Sequence, residues 1–184
     1  MKIRTRHATS VAAATLVAVV GLGTGSATAA PASAPAPTAR STDMANAVYT
    51  WLRNLNSNQC LAVPGGSTAQ GTGLIQWPCG TWRDHYWSVE SSDVAGYVKI
   101  RNLNSGQCLA VPGGSTTAGT QVIQWPCGTW RDHYWKLVND STGTHIVNRN
   151  SNQCLAVDAG STAQGAKVMQ WPCGTWRDHY WYNS

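Results

Sequence analysis

The twelve-residue string QWPCGTWRDHYW runs from Gln76 to Trp87, again from Gln124 to Trp135, and again from Gln170 to Trp181. Upstream of each copy lies a second repeated stretch: RNLNSNQCLAVPGGST over 53–68, RNLNSGQCLAVPGGST over 101–116 and NRNSNQCLAVDAGST over 148–162. The leading cysteines, Cys60, Cys108 and Cys154, recur after 48 and then 46 residues, and a second cysteine follows each of them after 19. Self-similarity at a near-constant period marks a chain of repeated units that bury a core only together.

Each unit reads as β-structure. Short runs such as Leu61–Val63 and Leu74–Trp77 alternate apolar and polar residues. Turn clusters, among them Pro64-Gly65-Gly66-Ser67 and Asn104-Ser105-Gly106, separate them. No stretch sustains a helical period. About four strands fit in each unit, and about twelve in all. Three such units are predicted to close around a shared axis, because an open array leaves raw ends. The bridges are most simply Cys60–Cys79, Cys108–Cys127 and Cys154–Cys173. No close Cys or His pairs of the kind a metal centre needs are present, so neither a metal nor a cofactor is expected.

Working outward, Lys2, Arg4 and Arg6 precede an apolar run from about Val11 to Leu22, and Ala27-Thr28-Ala29 offers a cleavage site. Residues 1–29 therefore read as a signal peptide, 30–46 as a Pro/Ala-rich disordered linker, and 47–184 as the folded domain, with units of about 48–95, 96–142 and 143–184. The even cysteine count agrees with export, and the predicted location is extracellular. The apolar run is short for a membrane span, so no membrane insertion is expected. The sequence holds 13 Lys+Arg against 8 Asp+Glu; without the three basic residues of the leader the balance is 10 against 8. That is no nucleic-acid footprint. Ten Trp and no Phe say more. Trp has a large apolar body and a polar N–H, and binding surfaces favour it.

Three units, each with two cysteines 19 apart and a closing aromatic motif, resemble the ricin B-type lectin domain. The same modules occur as family 13 carbohydrate-binding modules on bacterial glycosidases. The resemblance covers about 48–184. It implies an all-β, β-trefoil fold with pseudo-three-fold symmetry, a shallow sugar site in each unit, and polysaccharide or glycan as the partner of a monomer. The family closes each unit with Gln-x-Trp, whose Trp packs in the core. Here that position reads His85-Tyr86-Trp87, His133-Tyr134-Trp135 and His179-Tyr180-Trp181. The family's sugar-binding Asp, two residues after the first Cys, is replaced by Ala62, Ala110 and Ala156. Its stacking aromatic is matched by Trp77, Trp125 and Trp171. Its polar pair is matched by Asp84-His85, Asp132-His133 and Asp178-His179. A family Gln is replaced by Ile75, Ile123 and Met169, while Gln76, Gln124 and Gln170 stand one residue further on. A one-residue slip turns a strand side chain to the opposite face. These Gln point away from the pocket if the register follows the cysteine spacing, and into it if a bulge intervenes.

Sugar recognition needs a flat aromatic face and planar hydrogen-bonding groups for adjacent hydroxyls. The expected ligand-binding set is Trp77, Asp84 and His85, Trp125, Asp132 and His133, and Trp171, Asp178 and His179, with Asp taking over from the lost carboxylate. Trp82, Trp130 and Trp176 are extra stacking platforms or covers of the disulfides. The His are ligands or supports near the core, and the Arg-Asp neighbours read as a surface ion pair of little energetic value. Catalysis is not expected. Adjacent strand residues such as Asp84 and His85 face opposite ways, and each unit has one recurrent Asp where a glycosidase needs two carboxyl groups. The competing readings are a protein-binding trefoil, such as a protease inhibitor, and a trefoil that has lost sugar binding.

Overall fold

The computed structural model describes residues 47–184; the signal-peptide and linker assignments lie outside the described residues. The first unit contributes β1 (Tyr49–Asn54), β2 (Cys60–Ala62), β3 (Ile75–Trp77) and β4 (Tyr86–Ser91). The second contributes β5 (Val98–Asn102), β6 (Cys108–Ala110), β7 (Ile123–Trp125) and β8 (Trp135–Asn139). The third contributes β9 (Thr144–Asn148), β10 (Cys154–Val157), β11 (Val168–Trp171) and β12 (Trp181–Asn183).

Six of the twelve strands close on themselves. β1 pairs with β4, β4 with β5, β5 with β8, β8 with β9, β9 with β12, and β12 returns to β1, every pair antiparallel. Closure leaves this ring without a free edge. The remaining strands form three hairpins, β2–β3, β6–β7 and β10–β11. Their tips meet at the three-fold axis, where Leu74 N–H donates to the Val122 carbonyl, Val122 to Val168, and Val168 back to Leu74, at 2.9–3.0 Å. This is an all-β trefoil.

The core is assembled in threes because each unit supplies one residue per layer. Trp87, Trp135 and Trp181 are buried, and each indole N–H donates to the Leu61, Leu109 or Leu155 carbonyl of its own unit at 2.9 Å. A buried indole without that acceptor would leave a costly orphan donor. Leu52, Ile100 and Ile146, and Leu74, Val122 and Val168, complete further layers. The sulfurs of Cys60 and Cys79, Cys108 and Cys127, and Cys154 and Cys173 are bonded, one bridge in each unit. No helix among the described residues is long and apolar enough to cross a membrane.

Candidate functional site

The second hairpin strand decides which side chains reach the surface. In β2–β3 the register sets Cys60 opposite Trp77, Leu61 opposite Gln76 and Ala62 opposite Ile75; β6–β7 and β10–β11 repeat it. Gln76, Gln124 and Gln170 therefore share the inward face with the core leucines and have no exposed surface. Gln76 Oε1 accepts from Ser57 Oγ at 2.7 Å, and its Nε2 donates to the Ser161 and Ala163 carbonyls of the third unit. Gln124 and Gln170 make the equivalent bonds. The register follows the cysteine spacing, so these three side chains join neighbouring units and do not enter a pocket.

One residue later the indoles turn outward. In the second unit Trp125 lines a pocket of about 290 Å³ with Ala110, Ile123, Trp130, Asp132 and His133. In the third unit Trp171 lines one of about 430 Å³ with Ala156, Met169, Trp176, Asp178 and His179. Trp77, Asp84, His85 and Trp82 hold the same positions in the first unit. Ala110 and Ala156, which replace the family's Asp, lie in these pockets, and Asp132 and Asp178 reach the same space from the turn before the last strand.

That turn corrects one expectation. Asp84-His85, Asp132-His133 and Asp178-His179 do not lie on strands, where neighbours diverge. They end short 3₁₀ turns, Arg83–His85, Arg131–His133 and Arg177–His179. Successive side chains in a 3₁₀ turn diverge by about 120° instead of the roughly 180° of a strand, so neighbours can approach one another. His Nε2 consequently stands 3.5–3.6 Å from the adjacent Asp Oδ2 in every unit. Nδ1 of His133 and of His179 accepts from the Gly128 and Gly174 N–H at 3.3 Å. An accepting Nδ1 places the neutral ring's proton on Nε2, facing the carboxylate. Burial lowers the pKa of all three histidines, the neighbouring Asp partly offsetting it. The Asp residues are themselves buried, and no described group donates a hydrogen bond to their carboxylates.

Trp82, Trp130 and Trp176 are 59–61 % exposed, the most exposed indoles of the described chain. Each ring lies 5.2–5.3 Å from its unit's His ring and folds back over the glycine two residues earlier. A Cβ at Gly80 would come within 2.1 Å of the Trp82 ring, so only glycine admits this arrangement. Trp130 and Trp176 line their pockets. The Arg of the motif is not paired with its Asp neighbour: Arg83 donates to the Leu103 carbonyl and Arg177 to Leu55, each in the next unit round the ring.

Sequence reading overlooked the supports of each pocket, which come from the following unit. Asn102 Nδ2 donates to the Asp84 carbonyl at 2.8 Å, and Asn104 Nδ2 to the Gly66 carbonyl at 2.8 Å. Asn148 and Asn150 do the same for Asp132 and Gly114, and Asn54 and Asn56 for Asp178 and Gly160. The repeated Asn-x-Asn-Ser was the available signal. It reads locally as a turn, and its Asn Oδ1 does accept the turn's own N–H groups.

These pockets, repeated round a closed barrel, accompany a family match. The model of the ricin-type beta-trefoil lectin domain-like family matches residues 38–95 and 83–171. The chain belongs to that family. No curated protein sequence matches the lectin-like chain. Among solved structures it is similar to the designed three-fold symmetric protein ThreeFoil, at 29 % identity over 73 % of this chain and 96 % of that one, with a TM-score of 0.71. It is also similar to an exo-β-1,3-galactanase from Clostridium thermocellum, at 26 % identity, 73 % coverage and a TM-score of 0.70. The lectin-like chain spans only 29 % of the length of that enzyme. The C-terminal half of the earthworm R-type lectin, in complex with GalNAc, shares the fold at 15 % identity, over 74 % of this chain and 97 % of that one, with a TM-score of 0.57. Family and fold support a carbohydrate-binding module.

Proposed function

We propose that this is a secreted, non-catalytic carbohydrate-binding protein whose pockets act together on polysaccharide or glycoconjugate. The observation that carries the reading is the pairing, in one pocket, of exposed indole faces with a buried Asp that has no donor. Trp125 and Trp130 offer flat surfaces to the C–H side of a sugar ring. Asp132, with His133 Nε2 3.6 Å away, is an acceptor awaiting adjacent hydroxyls, and bonds to a charged acceptor are the stronger kind. Asp84, Asp132 and Asp178 thus supply the carboxylate that Ala62, Ala110 and Ala156 no longer provide. The neutral His is a positioning residue in this scheme.

Half-open pockets of this size bury little of a polymer, so each site binds weakly. Three on one rigid body gain roughly 10²–10⁴ through avidity on a repetitive ligand. Three disulfides suit an oxidising compartment. The test is the triple variant Asp84→Ala, Asp132→Ala, Asp178→Ala beside the parent on a glycan array carrying monosaccharides and polymers. The parent is expected to hold polymer well above monosaccharide, and the folded variant to lose both. Undiminished binding by the variant would sink the assignment.

A further inference from the structure

The pocket of the third unit is not equivalent to that of the second. On their rims the first and second units carry Pro64-Gly65-Gly66 and Pro112-Gly113-Gly114, and the third carries Asp158-Ala159-Gly160. The backbone barely changes: φ is 61° at Gly65, 59° at Gly113 and 51° at Ala159. The exchange therefore puts a carboxylate where the other units place a proline ring. Asp158 is exposed, and it lines the third pocket together with buried Asp178. No described group donates a hydrogen bond to the Asp178 carboxylate, and His179 Nε2 lies 3.6 Å from it. No Lys or Arg lines this pocket, and burial keeps its histidine neutral. Trp171, at 43 % exposed, shows more of its ring than Trp77 or Trp125, and Met169 replaces the branched Ile75 and Ile123.

We infer that the third pocket selects a saccharide carrying a protonated amine, a hexosamine unit with its amino group free. This rests on the sugar-binding reading above. An ammonium offers three donors and a full charge to two carboxylates. Indole faces attract cations as well as C–H groups. The second pocket, with one carboxylate, lacks this complement. Asp158 is the specificity-determining residue and Asp178 the acceptor shared with the other units.

The experiment titrates the folded protein with three matched tetramers: glucosamine, N-acetylglucosamine and glucose. The indole N–H signals of Trp171 and Trp176 locate the ligand. The glucosamine tetramer is expected to bind on the order of tenfold tighter than the others. The preference should fall with added salt, vanish in Asp158→Asn, and appear in the second pocket of Pro112→Asp. Equal affinity for charged and neutral tetramers, or a preference that survives Asp158→Asn, overturns the inference while leaving sugar binding standing. A lysine tetrapeptide binding as tightly overturns the saccharide assignment, and cleavage of the tetramer overturns the binding role. Failure of every tetramer and every array glycan to bind the parent removes the sugar-binding reading itself.

Discussion

Asp132 and His133 are neighbours in sequence, and their cooperation depends on one backbone detail. On a strand they would face opposite ways, but in the 3₁₀ turn Arg131–His133 they stand 3.6 Å apart. Asp favours turns, yet a single Asp between Arg and His does not distinguish a 3₁₀ turn from the start of the closing strand. Ala159 shows a second residue-scale effect. It holds φ 51° where its counterparts are glycine. An L-residue there crowds its Cβ against the carbonyl, at about 1–2 kcal/mol. Ala159→Gly should relieve that strain and return part of the gain to the unfolded chain. The expected net is a stabilisation of about 0.5 kcal/mol, or roughly 2 °C in Tm. Thermal unfolding checks it; an unchanged or lower Tm contradicts the strain argument.

At the scale of the element, the hairpin register sorts two adjacent residues into unrelated roles. Gln124 enters the interior and Trp125 faces the pocket. The alternation itself was legible, since strand side chains change face at every step. Its phase was not, because a polar Gln among core leucines is the less expected choice. The structure makes that choice tenable by satisfying the whole amide: Ser105 donates to its oxygen, and its nitrogen donates to the Ser67 and Ala69 carbonyls. Gln124→Ala removes these bonds and leaves the Ser67 carbonyl without a donor and the Ser105 hydroxyl without an acceptor, while the Ala69 carbonyl keeps the Thr72 hydroxyl. The expected loss is about 2–4 kcal/mol, since each unsatisfied buried group costs about 1–3 kcal/mol. A fall in the urea midpoint without a change in slope would show it. A loss below about 1 kcal/mol would mean that water satisfies these groups.

The whole molecule responds to pH through its buried histidines. Burial lowers the pKa of His85, His133, His179 and His145 below the ordinary 6.5. As the pH drops through that value the unfolded chain takes up protons that the folded chain still refuses. The unfolded state then binds more protons, and stability falls with decreasing pH. The contribution is intact above 6.5 and declines below it until the folded values are reached. Asp93, held down chiefly by the Tyr134 hydroxyl, and Asp140, chiefly by the Thr142 N–H, shift below their ordinary 3.8 and weaken the fold only in stronger acid. Denaturant midpoints at about pH 7.5 and about pH 5 should therefore differ, the latter being lower. Equal midpoints would mean that the histidines titrate freely in the fold.

The sequence by itself determined the three units, their β character, the cysteine pairs joined in the structure and the closing tryptophans as core. Each of these is written within one repeat, as a spacing or a pattern that recurs three times. Only the tertiary structure decided that Gln76, Gln124 and Gln170 face inward, that Asp and His share a pocket, and that each pocket is braced by the next unit's Asn-x-Asn. The physical reason is distance along the chain. Asn54 supports the Asp178 backbone across 124 residues, and Asn102 supports Asp84 across 18. A repeat can display its own pattern, but the partner that satisfies its buried polar groups exists only once the ring has closed.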